Sequence, residues 1–211
     1  MKIRKETVCA CAALALQVVA MGFLVWRYER IVQCGAEVRV KCQAYDPYDP
    51  LRGRYLRVTV NESCTNILFA VDVDNYWKVP KGDIYAKLAK AQGDGGLYRV
   101  EAVALEPTDA GLWVKTKSLR LTYALGHKDK RSGETYDEFY ARQRKSGGKA
   151  VVSFPDQLFV NEKVAPDAEE LLRKSTASAA AVFRVLDSEI VLTDIEIGGK
   201  SILSVVRENN R

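Results

Sequence analysis

The side chains best suited to chemistry lie in a short segment rich in aspartate, tyrosine and proline. Asp46 and Asp49 each directly precede a proline, which restricts them to extended geometry. Paired carboxylates can serve acid–base chemistry, although aspartates at turns commonly accept backbone hydrogen bonds. We therefore predict a rigid, wide loop whose aspartates form turn hydrogen bonds and whose tyrosines rim the core, with a binding rim for a peptide or a glycan as the functional alternative. Its candidate residues are Asp46, Asp49, Arg52, Gly53 and Tyr55.

Nucleophilic catalysis has weaker support in the sequence. A Ser-His-Asp triad would depend on His127, the only histidine, which lies in a lysine-rich segment. A Ser-Lys dyad, as in membrane-anchored signal peptidases, needs no histidine, but no serine lies in a recognisable catalytic motif. Neither a P-loop nor a dinucleotide-binding glycine pattern occurs. We therefore assign no catalytic residue and favour a protein without covalent chemistry, with an envelope hydrolase of the Ser-Lys type as the alternative.

Metal and disulfide chemistry would depend on the aspartates and cysteines. The chain has five cysteines but no Cys-x-x-Cys pair, and its aspartate-rich turn lacks the spacing of an EF-hand loop. We expect neither a metal nor a cofactor. Cys9 and Cys11 lie in an apolar segment, whereas Cys34, Cys42 and Cys64 follow it. An oxidising compartment would permit one disulfide among the last three and leave one thiol over.

The longest apolar stretch is residues 8–26, in which Gln17 is the one strongly polar residue. A helix of this length spans roughly 28 Å at about 1.5 Å per residue, close to the hydrocarbon thickness of about 30 Å. A cleaved signal peptide is the alternative, but no Ala-x-Ala cleavage site follows the stretch. We therefore predict an uncleaved signal anchor that crosses the membrane over residues 8–26, with residues 1–7 in the cytoplasm.

Charge alone does not decide which side of the membrane holds residues 27–211, because basic residues flank the anchor on both sides. Long domains translocate largely regardless of charge, and a short basic N-terminus tends to stay in the cytoplasm. We predict a single-pass protein of the bacterial inner membrane, in which residues 27–211 form one extracytoplasmic, periplasmic domain of the cell envelope. The expected partner of residues 8–26 is the lipid bilayer, and no nucleic acid is expected.

Positive charge is concentrated in one stretch. The chain has a net charge of +5, and its first 26 residues carry three basic residues and one acidic residue. Residues 126–149 hold seven basic and four acidic residues, which accounts for the whole remaining excess of +3. Such a stretch is commonly a solvated loop, but it can also form a patch for acidic partners or lipid head groups. We name residues 126–149 the basic excursion, with Arg142, Arg144 and Lys145 as candidate binding residues.

Hydrophobic periodicity places these side chains on a sheet-rich domain, because apolar and polar residues alternate in many short segments. The predicted strands cover residues 37–44, 54–60, 66–73, 97–105, 112–116, 119–125, 151–160, 181–186 and 190–193. The predicted helices cover residues 84–92, 134–142 and 166–175, and residues from 207 onward are expected to fray. The predicted hairpins join 37–44 to 54–60, 97–105 to 112–116, and 181–186 to 190–193. The fold class is therefore α+β, with mainly antiparallel β hairpins, two or three short helices and one N-terminal transmembrane helix.

The second predicted strand and its lead-in resemble a known family motif. Residues 49–60, Asp-Pro-Leu-Arg-Gly-Arg-Tyr-Leu-Arg-Val-Thr-Val, are similar to the segment that names the GDYXXLXY family of membrane-anchored proteins. Gly53 and Tyr55 match the motif, whereas an arginine replaces its aspartate and valines replace its leucine and its final tyrosine. A role that depended on the family's aspartate therefore does not carry over to this chain.

Phe-Val-Asn-Glu, at residues 159–162, resembles the second sequence block of the same family. The resemblance implies a membrane-anchored architecture and a membrane-embedded partner protein, without implying a reaction. Together with the anchor, it leads us to predict a membrane-anchored extracytoplasmic binding or assembly protein. The residues at family-motif positions are Asp49, Pro50, Leu51, Gly53, Tyr55, Val58, Phe159, Val160 and Glu162.

Overall fold

A computed structural model of the 211-residue chain describes residues 5–44, 55–70, 80–91, 93, 95–123, 125, 127–175 and 178–209. Within these ranges the helices are α1 (Lys5–Cys34), α2 (Tyr136–Lys145), α3 (Ala165–Lys174) and α4 (Ile202–Asn209), with a 3-10 turn at His127–Asp129. The strands are β1 (Ala36–Lys41), β2 (Gln43–Ala44), β3 (Tyr55–Thr59), β4 (Asn61–Cys64), β5 (Tyr85–Lys90), β6 (Tyr98–Ala104), β7 (Leu112–Lys115), β8 (Ser118–Tyr123), β9 (Gly148–Ser153), β10 (Gln157–Phe159), β11 (Ala179–Leu186), β12 (Glu189–Ile197) and β13 (Lys200–Ser201). These elements confirm the predicted α+β class.

Helix α1 confirms the predicted apolar N-terminal helix. Its segment Ala12–Cys34 is 23 residues long with a mean hydropathy of 1.2, so it is long and apolar enough to cross a membrane. The helix continues beyond Trp26, where we expected the anchor to end, because residues 27–34 contain neither glycine nor proline. The last two turns therefore carry charged residues while remaining part of the same helix.

A single residue, Gly35, separates α1 from β1. Its amide donates to the carbonyl oxygen of Ile31 at 2.9 Å, and Arg184 of β11 donates to its carbonyl oxygen at 3.2 Å. A Cβ atom on Gly35 would lie 2.4 Å from the Ile31 oxygen and 3.0 Å from the backbone nitrogen of Val185. This close approach requires glycine and joins the helix to the sheet without a flexible linker.

Strand β1 lies at the centre of a seven-stranded sheet with the order β13-β12-β11-β1-β6-β5-β7. It pairs antiparallel with β11 and parallel with β6. Val38 and Val40 of β1 are fully buried, which confirms the alternation predicted for this strand. Phe183 of β11 lies opposite Val38 and packs against Phe154, with ring centroids 6.0 Å apart. The core of the domain is thus built around the strand that follows α1.

Two three-stranded sheets complete the fold. One has the order β10-β3-β2 and is called the motif sheet below; the other has the order β4-β9-β8. Strands β2 and β3 pair antiparallel, with Gln43 opposite Thr59 and Ala44 opposite Val58, which confirms the first predicted hairpin. Residues 45–54, which join these two strands, lie outside the described residues.

The hairpin of β11 and β12 also confirms its prediction. Its two turn residues, Asp187 and Ser188, have φ angles of 51° and 65°. Positive φ at both central residues is typical of the two-residue turns whose twist matches that of the flanking strands. The turn projects toward α1, where Arg27 forms an ion pair with Glu189 at 2.7 Å.

Two predictions for residues 84–116 are wrong. Residues 84–92 were predicted as a helix, but Tyr85–Lys90 form strand β5, in which Ala86 and Leu88 are buried at alternate positions, and Gln92 lies outside the described residues. The apolar residues of a segment this short fit the periodicity of a helix as well as that of a strand. Pairing with strands on both sides determines that the segment forms a strand. Strand β7 was predicted to pair with β6, but β5 lies between them, with Tyr85 opposite both Ala104 and Lys115.

Two further segments differ from expectation. In the predicted strand 66–73, the described part forms a single parallel bridge, between Ile67 and Val103, while residues 71–73 lie outside the described residues. The end of the chain was expected to fray from Arg207, but helix α4 continues to Asn209. Ile202 and Val206, one helical turn apart, are buried and hold this helix against the core.

The close approach at Gly35 predicts different outcomes for two glycine-to-alanine variants. Gly35→Ala would place a methyl group against backbone atoms, so we expect it to destabilise the fold by about 1–3 kcal/mol and lower Tm by several degrees. Gly22→Ala is the matched control, because no atom lies within 4 Å of its added Cβ. Thermal unfolding in detergent, followed by circular dichroism, measures both; equal Tm values would contradict a tight junction.

Candidate functional site

The two segments that resemble the family motif lie side by side in the motif sheet. Strand β10 pairs antiparallel with β3, with Phe159 opposite Tyr55 and Leu158 opposite Leu56. The rings of Tyr55 and Phe159 lie 6.1 Å apart with an interplanar angle of 55°, within the range of stabilising aromatic pairs. The two blocks, distant in sequence, therefore form one structural unit.

The motif residues of this unit differ in exposure. Tyr55 is 8% exposed and Val58 is 1% exposed, whereas Phe159 is 75% exposed. Val160 is half-buried and Glu162 is exposed. The ring of Phe159 is thus mostly exposed, and the buried ring of Tyr55 packs against it. The other family-motif positions, Asp49, Pro50, Leu51 and Gly53, lie outside the described residues.

A groove of about 340 Å³ lies between the motif sheet and helix α3. We call it the α3 groove. Helix α3 begins with Pro166 in its first turn, as predicted, and buries Ala168 and Leu172 on the face toward the sheet. The apolar lining of the groove includes Leu56 and Leu172, and its charged lining comprises Arg57, Glu169, Glu170 and Arg173. An apolar floor with charges of both signs suits a peptide that inserts one apolar side chain.

Arg57 also lines a second, polar groove of about 300 Å³, together with Lys117 and Asp156. The Nε of Arg57 donates to Oδ2 of Asp156 at 2.9 Å, and the Nζ of Lys117 donates to Oδ1 of the same carboxylate. Burial of Asp156 acts to raise its pKa, but the hydrogen bonds from Lys117 and Arg57 outweigh this effect and lower the pKa below its usual range. Two cations around one carboxylate favour an anionic ligand at this groove.

Two serines, Ser118 and Ser153, also line the polar groove. The hydroxyl of Ser153 donates to Oδ1 of Asn61 at 3.1 Å, while the ammonium of Lys117 pairs with Asp156. A Ser-Lys dyad requires a neutral lysine amine that accepts the proton of the serine hydroxyl. This arrangement therefore does not favour the hydrolase alternative at the polar groove.

The basic excursion contains the predicted helix, here α2. Thr135 and Glu138 form a capping box at its start. On its inner face Phe139 is fully buried, and the Nε2 of Gln143 donates to the carbonyl oxygen of Leu125 at 2.6 Å. The excursion is therefore packed against the rest of the domain.

Arg142, a predicted binding residue, is engaged inside the excursion. Its Nε and one of its terminal nitrogens each donate to the Glu134 carboxylate at 2.8 Å, and it also donates to the carbonyl oxygen of Asp129. The hydrogen bonds from Arg142, and from the amide of Arg131, lower the pKa of Glu134 to about 2. The other two predicted residues, Arg144 and Lys145, are exposed in the last turn of α2, where positive charge complements the helix dipole.

Cys34, Cys42 and Cys64 are free thiols, so the disulfide that an oxidising compartment would permit is not formed among them. Cys34 is exposed at the end of α1, and the other two are buried. Burial raises the pKa of the Cys42 thiol to about 12 and also raises the pKa of Cys64. Since the thiolate is the reactive form, both buried cysteines are unreactive core residues.

The structure therefore brings together only some of the predicted site residues. Tyr55 lies in the motif sheet, Arg142, Arg144 and Lys145 lie on α2, and Asp46, Asp49, Arg52 and Gly53 lie outside the described residues. Sequence reasoning missed Arg57, Lys117 and Asp156. The break at Pro155-Asp156 was recognised as an interruption, but nothing local indicated that Asp156 pairs with two distant cations.

Comparison with known proteins gives one match. A family model described as GDYXXLXY protein matches residues 17–195. The match includes most of the apolar part of α1 and both paired strands of the motif sheet. No curated protein and no solved structure shows a significant similarity to the chain.

The ion pairs of Asp156 predict a pH-dependent loss of stability. The folded-state pKa lies below the ordinary value of about 3.9, so the stabilisation is complete above about pH 4 and is lost as the pH falls through the folded-state pKa. We expect Asp156→Asn to lower the free energy of unfolding by about 2 kcal/mol at pH 7. Urea unfolding at pH 7 and below pH 4 measures this difference, which should shrink at the lower pH. Glu106→Gln, at an exposed loop position, is the control; a pH-independent difference would contradict the assignment.

Proposed function

Because the chain belongs to the GDYXXLXY family, as the match over residues 17–195 establishes, we propose that it is a single-pass membrane protein whose domain works by binding a partner. In this proposal residues 1–7 are cytoplasmic, residues 8–26 cross the inner membrane of a bacterium, and residues 27–211 form one extracytoplasmic domain. The length and apolar character of α1 support the anchor. The one-residue junction at Gly35 supports a domain that lies directly on the membrane surface.

The observation that carries the proposed binding role is the pairing of the two family blocks in the motif sheet. Core packing accounts for the buried residues Tyr55 and Val58, but it does not account for Phe159, which is 75% exposed. Phe159 lies on the strand next to β3, whose residues Leu56 and Arg57 line the α3 groove. We assign the partner-binding surface to Phe159 and this groove.

The chemistry of this surface indicates the class of partner. An exposed aromatic ring favours an apolar side chain of the partner, because aromatic residues contribute much of the binding energy at interfaces. The cluster of Arg57 and Lys117 around Asp156 favours an acidic group next to it. The proposed ligand is a peptide segment of an envelope protein, with an apolar anchor side chain followed by an acidic residue.

The position of the surface favours a partner in the same membrane. Strand β12 contacts α1 near the turn and also contacts β10 of the motif sheet. It has nine residues, which span about 30 Å at roughly 3.3 Å per residue. One strand therefore connects the end of α1 to the motif sheet, which supports a partner in the same membrane.

The binding role predicts the effect of removing the exposed ring. We expect Phe159→Ala to reduce recovery of a stoichiometric partner from detergent extracts at least tenfold, without unfolding the domain, because the ring is mostly exposed. The matched control is Leu105→Ala, which removes another exposed apolar side chain, 40% exposed, outside the motif sheet. Equal recovery with both variants would contradict this assignment. Labelling of a serine by a broad hydrolase probe, without a partner, would support the enzyme alternative.

The proposed topology predicts where protease can reach the domain. Trypsin added to spheroplasts should cut the exposed Arg144 and Lys145 of α2, whereas inverted membrane vesicles should protect these sites. Immunoblotting against the C-terminus measures both outcomes. Protection in spheroplasts with cleavage in inverted vesicles would reverse the topology, and recovery of the full-length chain in the soluble fraction would contradict membrane anchoring.

A further inference from the structure

A cleft of about 240 Å³ lies where α1 meets the turn of the β11–β12 hairpin. On the helix side it is lined by Phe23 and Trp26, whose ring centroids lie 5.9 Å apart. Leu186 and Asp187 line it on the hairpin side. One side of this cleft is therefore formed by α1 and the other by the domain.

Four charged side chains surround the cleft. Arg27 pairs with Glu189 at 2.7 Å, and Arg30 approaches Asp187 at 3.5 Å, beyond the usual length of a charge-assisted hydrogen bond. The guanidinium of Arg30 also lies 5.9 Å from the centre of the Trp26 ring. All four side chains are accessible, with exposed fractions between 42% and 72%. The cleft thus offers two guanidinium groups and two carboxylates at one opening, with no net charge.

The position of the cleft along α1 indicates what surrounds it. The apolar stretch ends at Trp26, and Arg27 is the first charged residue after it. Tryptophan next to the first charged residue marks the interface between the hydrocarbon and the polar head groups of a bilayer. If the chain is anchored as proposed above, the cleft opens at the level of the head groups and is surrounded by phospholipid.

We propose that this cleft binds the head group of a zwitterionic phospholipid that carries a primary ammonium, as in phosphatidylethanolamine; the proposal rests on the membrane location proposed above. The phosphate accepts hydrogen bonds from Arg30, whose guanidinium has more donors than its long contact with Asp187 uses. The ammonium donates to the carboxylate of Asp187, the most exposed of the four side chains. One acyl chain packs along Phe23 and Trp26.

Other common head groups fit this cleft less well. A head group with a phosphate and glycerol carries a net negative charge and has no ammonium to pair with the carboxylate of Asp187. A choline head group has the same net charge as ethanolamine, but its nitrogen has no N–H to donate. The combination of balanced charge and hydrogen-bond acceptors therefore selects a primary ammonium.

The test measures the lipids retained by the full-length chain in nanodiscs that contain equal amounts of phosphatidylethanolamine, phosphatidylglycerol and phosphatidylcholine. After extraction in mild detergent, native mass spectrometry counts the retained lipids. We expect phosphatidylethanolamine to be enriched at least fivefold over both other lipids. Asp187→Asn should reduce the enrichment to twofold or less, and it preserves the turn because asparagine tolerates positive φ. Arg30→Gln should have the same effect.

The controls separate this proposal from general lipid binding. Arg207→Gln removes an exposed arginine from α4, outside the cleft, and should leave the enrichment unchanged. Equal retention of the three lipids, enrichment of phosphatidylglycerol, or unchanged enrichment in Asp187→Asn would overturn the lipid site while leaving the membrane anchor intact. Failure of the anchor itself is distinguishable, because the chain would then not enter nanodiscs and would remain in the aqueous fraction.

Discussion

The steric contact of Gly35 with Ile31 and Val185 determines how the N-terminal helix enters the domain. The chain passes from α1 through one residue into β1, and β1 is hydrogen-bonded on both sides, to β11 and to β6. Burial of a valine such as Val38 or Val40 contributes roughly 1.5–3 kcal/mol, so the direction of β1 is fixed by the core. The direction of the helix is fixed with it. In the proposed topology, a domain connected in this way presents a defined face to the membrane, unlike one held by a flexible linker.

The same reasoning gives a physical meaning to the family motif. Tyr55 and Val58 are buried. Val58 stands where the motif has leucine, so an apolar side chain is kept at this buried position. Arg57 is not a motif residue, yet it pairs with Asp156 directly before β10, and the carbonyl oxygen of Asp156 accepts from the amide of Val58. This pair of contacts places β10 next to β3. The motif therefore encodes a strand pairing that leaves Phe159 exposed, the residue to which the proposed function assigns partner binding.

Local sequence patterns predicted the elements that are determined by a few neighbouring residues. The apolar run of α1, the alternation around Val38, and the turn at Asp187 each follow from neighbouring residues alone. Strand β5 was assigned to a helix because Tyr85–Lys90 is short, and its pairing with strands on both sides decided its conformation. The contact of Arg57 with Asp156 joins residues that lie 99 apart in sequence, so no local pattern could reveal it. The resemblance of two separated blocks to one family did not by itself predict that their strands pair.

The binding surface assigned to the motif sheet is small, since one exposed ring and a groove of about 340 Å³ cannot bury the area of a standard protein interface. Such a surface would bind a freely diffusing protein weakly. In the proposed function both molecules are confined to one membrane, and confinement raises the effective concentration of each at the other without adding a contact. The rigid junction at Gly35 adds to this effect, because a domain of fixed orientation loses less rotational freedom on binding. In the proposed function, a small surface held rigidly at the membrane therefore binds a membrane-embedded partner more tightly than the same surface would on a flexible linker.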